Sequence, residues 1–461
     1  MLNEEYINLI KKNYPDFDEI FSGEIHVSEH YSYSGRIENG DNIIIRGMPG
    51  QLLCIKDKGI MKMKIFVVNA GSSSLKYQLI DMDNEQVLAK GLCERIGVTG
   101  AISHKSADGR KYEAETPMPT HSEAFEAVVY AMTKSEAKVI DSFDEISAIG
   151  HRIVQGGAVF KGSCLVTEDV INKISELGAM APLHNPAHVL AIRACIKTFG
   201  EKIPQVVVFD TSFHQTMPSY AFMYPLPYEY YEKYQVRKYG AHGTSHRFVS
   251  DRVADLEGKD KKDIKIITCH LGNGCSITAI KDGVCVDTSM GFTPLDGFMM
   301  GTRSGTIDPS ALTYIAEKEN LTASDINTIC NKKSGMLGIS GISNDNRDIG
   351  AAADAGNERA KLAVDMQRYQ ILKFIGSYIA AMNGVDAICF TGGIGENDPE
   401  LREYVCENLG YLNVKIDKEL NKLRGKEIKI STAESGVDVF VIPTNEELAI
   451  ARDTLQIVSN I

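Results

Sequence analysis

The sequence predicts an α/β protein made of two copies of one hairpin-led unit, with a cleft between the copies. The first observation is the stretch Lys64 to Asp81. An apolar run, Ile65 to Val68, meets a turn of Asn69, Gly71, Ser72, Ser73 and Ser74, and Leu75, Tyr77, Leu79 and Ile80 then resume a strand-like pattern. The second is its repeat, roughly 200 residues later: Ile264 to Gly283 carries the same order of strand, Gly-containing turn, strand and acidic turn, and Asn69-Ala-Gly-Ser lies against His270-Leu-Gly-Asn when the two are superposed. The third is length, because 461 residues exceed the size at which a single core stops growing, about 250 to 300 residues.

Composition narrows the function. Hydrophobic content of 43% and charged content of 24% are those of an ordinary globular protein. A net charge of −12 argues against nucleic acid or an anionic membrane as a general partner, so an anion site must rest on local basic groups. The ten cysteines are scattered without a Cys-x-x-Cys pair and read as reduced, mostly buried thiols of a cytoplasmic protein rather than a zinc site or disulfide frame. Neither a signal peptide nor an apolar stretch of about 18 residues is legible, so secretion and membrane spanning are not expected.

In chain order, residues 1 to 62 differ in character from the rest. Met1 to Phe21 reads as a short, partly amphipathic helix and Asn42 to Cys54 as one or two strands, and no chemistry is legible in either. Met61 and Met63 directly precede the first core strand, so the natural start is expected there, with the leading segment an extension. Deleting residues 1 to 60 should therefore leave full activity, and an insoluble or inactive product would refute the reading. The Asn69 to Lys76 turn offers N–H groups, hydroxyls and one ammonium, which suits an anion with several acceptor oxygens, although a solvated turn would carry the same residues.

His121 to Val139 has helical spacing and is followed by the strand Ile146 to Ile149, which runs into Gly150-His-Arg-Ile-Val-Gln-Gly-Gly157. There Arg152 emerges beside glycines, where backbone can approach a ligand, and His151 reads as structural. Glu168 to Met180 and Pro186 to Phe199 are helical. The β run Gln205 to Phe209 ends in Asp210, at the place in an α/β sheet where metal-binding or catalytic carboxylates occur; a turn cap is the alternative. Tyr239-Gly-Ala-His-Gly-Thr-Ser-His246 opens a helix, Arg247 to Leu256, and its Gly-flanked His242 can point into a cleft. After the second hairpin, Gly301-Thr-Arg-Ser-Gly-Thr306 sets Arg303 between glycines and hydroxyls, which is phosphate chemistry. Glu358 to Asn383 is a long helix, Asp386 to Phe390 a strand, and Thr391-Gly-Gly-Ile-Gly-Glu-Asn397 a glycine motif with the wrong spacing for a dinucleotide fingerprint. The chain closes with the strand Val437 to Ile442, Pro443-Thr-Asn-Glu-Glu447 and a last helix. No Walker-type phosphate loop is present.

From about Met63 to the C-terminus these ordered motifs, Asn69 to Lys76, Gly240 to His246, His270 to Gly274, Gly301 to Gly305, Thr391 to Asn397 and Thr444 to Glu447, resemble the acetate kinases, within the sugar kinase, actin and heat-shock ATPase superfamily. The resemblance implies two RNase-H-like (actin-like ATPase) domains with the catalytic cleft between them. Domain I would hold residues 63–210 with 448–461, its C-terminal helix returning to it, and domain II residues 211–447. It also implies a cytoplasmic homodimer that reversibly transfers phosphate between ATP and acetate, giving ADP and acetyl phosphate. Magnesium would be the metal, with manganese as a substitute. By the same resemblance Arg152 and Arg303 hold the carboxylate and the moving phosphoryl group, and His242 donates to its oxygens. Asn69, Asp210 and Glu446 form the metal's surroundings. His270, Asn273 and Gly274 contact nucleotide phosphates, and Asp345, Arg347, Gly393, Ile394, Gly395 and Asn397 form the adenosine pocket. Ser72, Ser74 and Lys76 belong to the first phosphate loop. Val154, Leu183, Ala241 and Pro294 map to the acyl pocket.

Three positions depart from the family pattern: Gln155 replaces a histidine, Asn346 replaces a Phe beside the base, and Ala241 replaces the Phe before the histidine. Loss of a phenyl ring predicts a wider acyl range, to propionate or longer, so a short-chain acyl (propionate) kinase is the alternative. Two rivals of other kinds stand beside these. An actin-like ATPase switch would keep the phosphate loops without needing two arginines and a histidine, and a sugar kinase would need Asp210 as a base.

Overall fold

The computed structural model describes residues 63–182 and 184–460, together with the backbone of four short strands before them, Tyr33–Ile37, Asn42–Gly47, Leu52–Lys56 and Gly59–Ile60. These four pair antiparallel in chain order, so the Asn42 to Cys54 segment contributes two strands rather than one. The helix expected over Met1 to Phe21, and Leu183, lie outside the described residues.

The Lys64–Ala70 strand is buried on both faces and pairs antiparallel with Ser74–Asp81 across the Gly/Ser turn, which Gly71 N–H closes on Ser74 O at 2.7 Å. This hairpin starts an eight-stranded sheet in the order Cys164–Leu165, Gln205–Phe209, Ile146–Ile153, Lys64–Ala70, Ser74–Asp81, Gln86–Glu94, Ala101–Ser106, Lys111–Glu115. The second hairpin starts a six-stranded sheet in the order Val284–Thr288, Cys275–Lys281, Ile266–Leu271, Ala387–Thr391, Asp438–Val441, Ile428–Lys429.

The two sheets share one topology. In each, the hairpin's first strand is central, two antiparallel strands follow on one side, and two parallel strands lie on the other, edged by a two-residue antiparallel strand. The first sheet alone adds Ala101–Ser106 and Lys111–Glu115. The fold is thus a duplicated α/β unit.

Helices sandwich both sheets. His121–Thr133 and Asn185–Phe199 bury Phe125, Val128, Met132 and Ala191 against Phe66, Val68 and Leu79 on one face of the first sheet. The last helix, Glu446–Val458, covers its other face, with Leu448, Ile450, Ala451 and Leu455 on Ile65, Val67, Val206 and Val208. That contact needs Gly150: a Cβ there would meet Thr454 Oγ1 at 2.4 Å and Ile450 Cγ2 at 2.7 Å. Helix Gly243–Glu257 packs Val249, Val253 and Ala254 on one face of the second sheet, and Glu358–Met382 and Pro399–Glu407 cover the opposite face. The two inward helices are linked by an ion pair of Arg247 Nη1 with Asp453 Oδ1 at 2.8 Å.

Three elements differ from the sequence expectation in ways that bear on the site. The strand expected to stop at Ile149 runs to Ile153, so Arg152 is a strand residue held by pairing with Gln205–Phe209 rather than by a glycine loop. The helix expected from Arg247 begins at Gly243, which makes His242 its N-cap residue. Thr391 to Asn397, read in the sequence only as a glycine motif, forms a short helix, Gly392–Asn397. Tertiary pairing overrides local glycine content in each case.

Candidate active site

The parallel strands of both sheets deliver their C-terminal ends to one region, where ligand sites occur in such sheets. Arg152 Nε and Nη2 donate to Asp210 Oδ1 and Oδ2 at 3.1 and 2.7 Å, a bidentate pair, and Glu446 Oε2 lies 3.5 Å from the same guanidinium. Asp210 is 1% exposed and follows directly on the Gln205–Phe209 strand; its N–H donates to Ile153 O at 2.9 Å. Despite its burial, Arg152 is held firmly protonated by Asp210 and Glu446. Burial raises the pKa of Glu446 and nearby Asp210 raises it further, while Arg152 and Lys76 act the other way.

His242 has a left-handed backbone, φ 58°, and is followed by Gly243, whose N–H donates to Asp210 O at 3.0 Å. A Cβ at 243 would stand 2.1 Å from that oxygen, so glycine is required for the helix to start against the Asp210 turn. The His242 ring stacks on His270 at 4.2 Å between centroids, and its Nδ1 contacts Ser276 Oγ at 2.9 Å. Ser276 Oγ also meets His246 Nε2 at 2.7 Å, and His246 Nδ1 meets Thr268 Oγ1 at 2.7 Å. Burial, then His270, Arg152, His246 and Arg303, depress the pKa of His242; burial and Arg152 depress that of His270 to about 4. Both rings are therefore neutral donors at neutral pH.

Arg303 comes from the loop after the second hairpin and faces the same place. A Cβ at Gly274 would lie 3.3 Å from Arg303 Nη1 and 3.6 Å from His242 Cε1, so the guanidinium and the imidazole flank one glycine. Arg303 Nη1 donates to Pro294 O at 3.2 Å, and no carboxylate pairs with it among the described residues. Burial lowers its pKa. His184 feels both Arg303 and Arg152, which add to burial in keeping it neutral. Arg152 with its two carboxylates, Arg303 with none among the described residues, and a neutral imidazole thus converge on one gap.

Other expected residues surround that gap. Asn69 pairs with Lys76 across the first hairpin, Ser72 is exposed and Ser74 half-buried at its tip, and His121 Nε2 contacts Gly71 O at 2.9 Å. On the second hairpin, Asn273 Oδ1 accepts from Asn344 Nδ2 at 3.2 Å, which ties that turn to the segment carrying Asp345. Asp345 caps helix Asn346–Asp354 and pairs bidentately with Arg347, whose side chain is 89% exposed. Gly393, Ile394, Gly395 and Asn397 lie on the short helix after Thr391, which is in register with His270. Ser245 Oγ joins His270 Nδ1 and Thr444 Oγ1, each at 2.8 Å, and so connects the hairpin to the segment leading to Glu446.

For a metal, the described residues contain no group of three or more His, Cys, Asp or Glu side chains that could hold one. Asp210, buried, and Glu446, half-buried, are nonetheless two hard-oxygen donors sharing one guanidinium, and Glu446 is crowded by the second carboxylate. This fits a hard divalent cation that takes one or two carboxylates and completes its shell with other oxygen donors.

Of the residues expected to line an acyl pocket, Val154 donates its N–H to His188 Nε2 at 3.4 Å, and Pro294 touches Arg303 through its carbonyl. Ala241 is 3% exposed and belongs to the apolar cluster of the second sheet with Cys275, Met290, Phe298 and Met300. Gln155 shapes its own loop: its Oε1 accepts from Gly157 N–H at 2.9 Å and its carbonyl from Asn185 Nδ2 at 2.9 Å. Asn346 donates to Gln367 Oε1 at 2.9 Å, so its side chain is engaged with the long helix. His151 is buried against Gln205 at 2.7 Å. Sequence reasoning gave no role to His184, His188, Ser276, Ser245 or Thr444, whose partners lie far away in the chain.

The Acetokinase family matches residues 64–452. Acetate kinase of Lachnoclostridium phytofermentans is 54% identical over 396 residues, 86% of this chain and 100% of that protein. Acetate kinase of Methanosarcina mazei is 55% identical over 86% of this chain and 97% of its own. Among solved structures, Porphyromonas gingivalis acetate kinase superposes with a TM-score of 0.83 at 46% identity, covering 86% of this chain and 100% of that one. A propionate kinase from Francisella tularensis superposes with a TM-score of 0.80 at 43% identity, with the same coverages. The shared topology is the duplicated actin-like ATPase fold, and with the family match and the relatives each spanning most of its length, the chain belongs to the acetokinase family.

Proposed function

We propose that this chain is an acetate kinase, a phosphotransferase that moves the terminal phosphoryl group of ATP onto the carboxylate of acetate and runs in both directions. The observation that carries this reading is the meeting of Arg152, Arg303 and neutral His242 around one gap, with Arg303 lacking an acidic partner among the described residues. A carboxylate acceptor is already ionised at neutral pH, so no general base is required. A carboxylate oxygen bonds to the γ-phosphorus as the bond from that phosphorus to the β–γ bridging oxygen breaks, and ADP leaves with the electron pair. Such a loose transition state needs in-line placement and cationic donors around its equatorial oxygens. Arg152 and Arg303 supply the charge, and His242 donates without adding to it.

A divalent metal, magnesium or manganese, would be held by Asp210 and Glu446 with Asn69 nearby, and when bound it would neutralise charge on the nucleotide phosphates. His270, Asn273 and Gly274 would contact those phosphates, with Ser72, Ser74 and Lys76 facing them from the first loop. Asp345, Arg347, Gly393, Ile394, Gly395 and Asn397 would frame the adenosine. The working unit would be a homodimer, and a cytoplasmic location would be in keeping with nine unbridged described cysteines. Residues 63–210 with 448–461 would form one lobe and residues 211–447 the other, a division supported by the packing of the last helix on the first sheet. Closure of the lobes would exclude water that otherwise hydrolyses the product. Hydroxylamine trapping tests the reading: acetohydroxamate should form from ATP and acetate, and ATP hydrolysis without it would favour a nucleotide switch.

Two further outcomes are expected. Asp210→Asn should lose about two orders of magnitude in turnover and recover part of it at high magnesium, as a residue near the metal requires. Loss that no metal concentration relieves would point instead to a proton-accepting Asp210 and an alcohol substrate. For acyl choice, a missing phenyl ring leaves each added methylene of the substrate worth only about 0.8 kcal/mol, or roughly fourfold, so propionate should be turned over well. Ala241→Phe should restore preference for acetate. Equal selectivity across acetate, propionate and butyrate panels for both proteins would mean that the buried cluster around Ala241 already fills the gap.

A further inference from the structure

We propose that the outer strands of the first sheet, beyond the part that the last helix covers, carry a second anion site beside the cleft and separate from the gap at Arg303, and that it takes a phosphoanhydride chain of three or more phosphates. Strand register sets three lysines in one row: Gln78 lies opposite Lys90, Lys90 opposite Lys105, and Lys105 opposite Lys111. Alternating burial along Ala101–Ser106, with Ile102, His104 and Ser106 buried, turns Lys105 and Ser103 to the solvent side. Like charges directly opposite one another across strands are unfavourable, yet none of the three lysines has an ion-pair partner among the described residues. In a chain of net charge −12, where acids outnumber bases 61 to 49, this row has been left uncompensated.

The row lines a groove of about 360 Å³, which Lys76 and the carboxylates Glu113 and Glu447 also border, so four ammonium groups face two acids there. At its inner end the Gln78 side-chain oxygen is buried and unpartnered among the described residues. Turning that amide would present its NH₂ to an anion in the groove. Strands stand about 4.8 Å apart, so the three ammonium groups can span roughly 10 Å. That is a line of charge, which a linear polyanion neutralises more fully than a single phosphate does. The aromatic rings in the groove offer no stacking platform, because Tyr77 OH is bonded to His104 Nδ1 at 2.7 Å and the two rings lie against each other. The phosphate chain itself is therefore the recognised feature, whether free or as the tail of a nucleotide.

The proposal does not rest on the kinase reading and is tested apart from it. Tripolyphosphate titrated calorimetrically into the full chain at low salt should bind at least tenfold more tightly than orthophosphate, and should weaken as salt rises. Lys90→Ala/Lys105→Ala/Lys111→Ala should lose this binding at least tenfold with kcat and KM for ATP unchanged, while Arg303→Ala in the cleft should retain it. ATP that displaces tripolyphosphate from Arg303→Ala would identify nucleotide tails as a source; failure to displace would identify the inorganic chain alone. Lys105→Glu should abolish binding and raise Tm without ligand, since it replaces two repulsions by two attractions. Undiminished binding in the triple variant, or its loss in Arg303→Ala, would overturn the proposal.

Discussion

Arg303→Ala is expected to lower turnover by about three orders of magnitude, in the range seen when a cation facing a transferred phosphoryl group is removed, while leaving the fold as stable as before. The reason lies in what Arg303 lacks. Its Nη1 rests on the Pro294 carbonyl and on Met300 sulfur, at 3.2 and 3.8 Å, and no carboxylate among the described residues neutralises it. Burial depresses its pKa, so the folded protein bears a cost for holding it there, and alanine should relieve that cost. Arg152→Ala should behave differently although its partner in chemistry is the same. It would strand the buried Asp210 and the half-buried Glu446, which now share its guanidinium, and breaking a buried pair such as that with Asp210 costs about 3–5 kcal/mol. Steady-state kinetics with acetate and ATP, paired with urea unfolding of both variants, separates the two effects. If Arg303→Ala keeps its turnover, or unfolds as readily as Arg152→Ala, the reading of Arg303 as an unpaired cation awaiting phosphate is wrong.

The contrast between these arginines also shows what the sequence reveals and what it hides. Both stand out as basic residues near glycines in an acidic chain, and the two hairpins stand out because period-two apolar runs are broken by Asn, Gly and Ser. Those are local signals. Arg152's pairing with Asp210 spans 58 residues and its approach to Glu446 nearly 300, so nothing nearby in the chain distinguishes it from Arg303. His242 is legible as a histidine between glycines, but its left-handed backbone is set by Gly243 closing on the Asp210 carbonyl, and its Nδ1 partner Ser276 comes from the other hairpin. His184 gives no sequence signal at all, since its lowered pKa arises from burial and from two arginines brought near by the fold. Ala241 is visible as a departure from the family pattern, whereas its inclusion in the second sheet's core is a packing result. Local periodicity thus specifies strands and turns, while charge pairing and tautomer control depend on contacts between distant segments.

Mild acid should unfold the protein cooperatively, and histidines rather than carboxylates should set the midpoint. Burial holds His151, His214 and His270 near about 4 and His188 near about 3, and pushes His242 and His246 well down as well. In the unfolded chain these imidazoles titrate near about 6.5. As pH falls through that value the unfolded state takes up protons that the native state refuses, so stability decreases with acidity from about pH 6.5 down to about 4. Each such group contributes up to about 1.4 kcal/mol per pH unit, and the four with assigned values together give about 5 kcal/mol per unit once the unfolded chain is fully protonated. Glu446 works in the opposite direction, because its raised pKa makes the native state the better proton acceptor, but it is one group against at least four. Against a net stability of about 5–15 kcal/mol, that slope is enough to unfold the chain between about pH 5.5 and 4, above the range where the salt-bridged Asp108 and Asp345, held near about 2, would protonate. Urea midpoints at pH 7.5, 6.0 and 5.0 should fall steadily. A midpoint unchanged down to pH 5 would show that the imidazoles titrate in the folded protein, and would remove the neutral His242 on which the phosphoryl-transfer geometry depends.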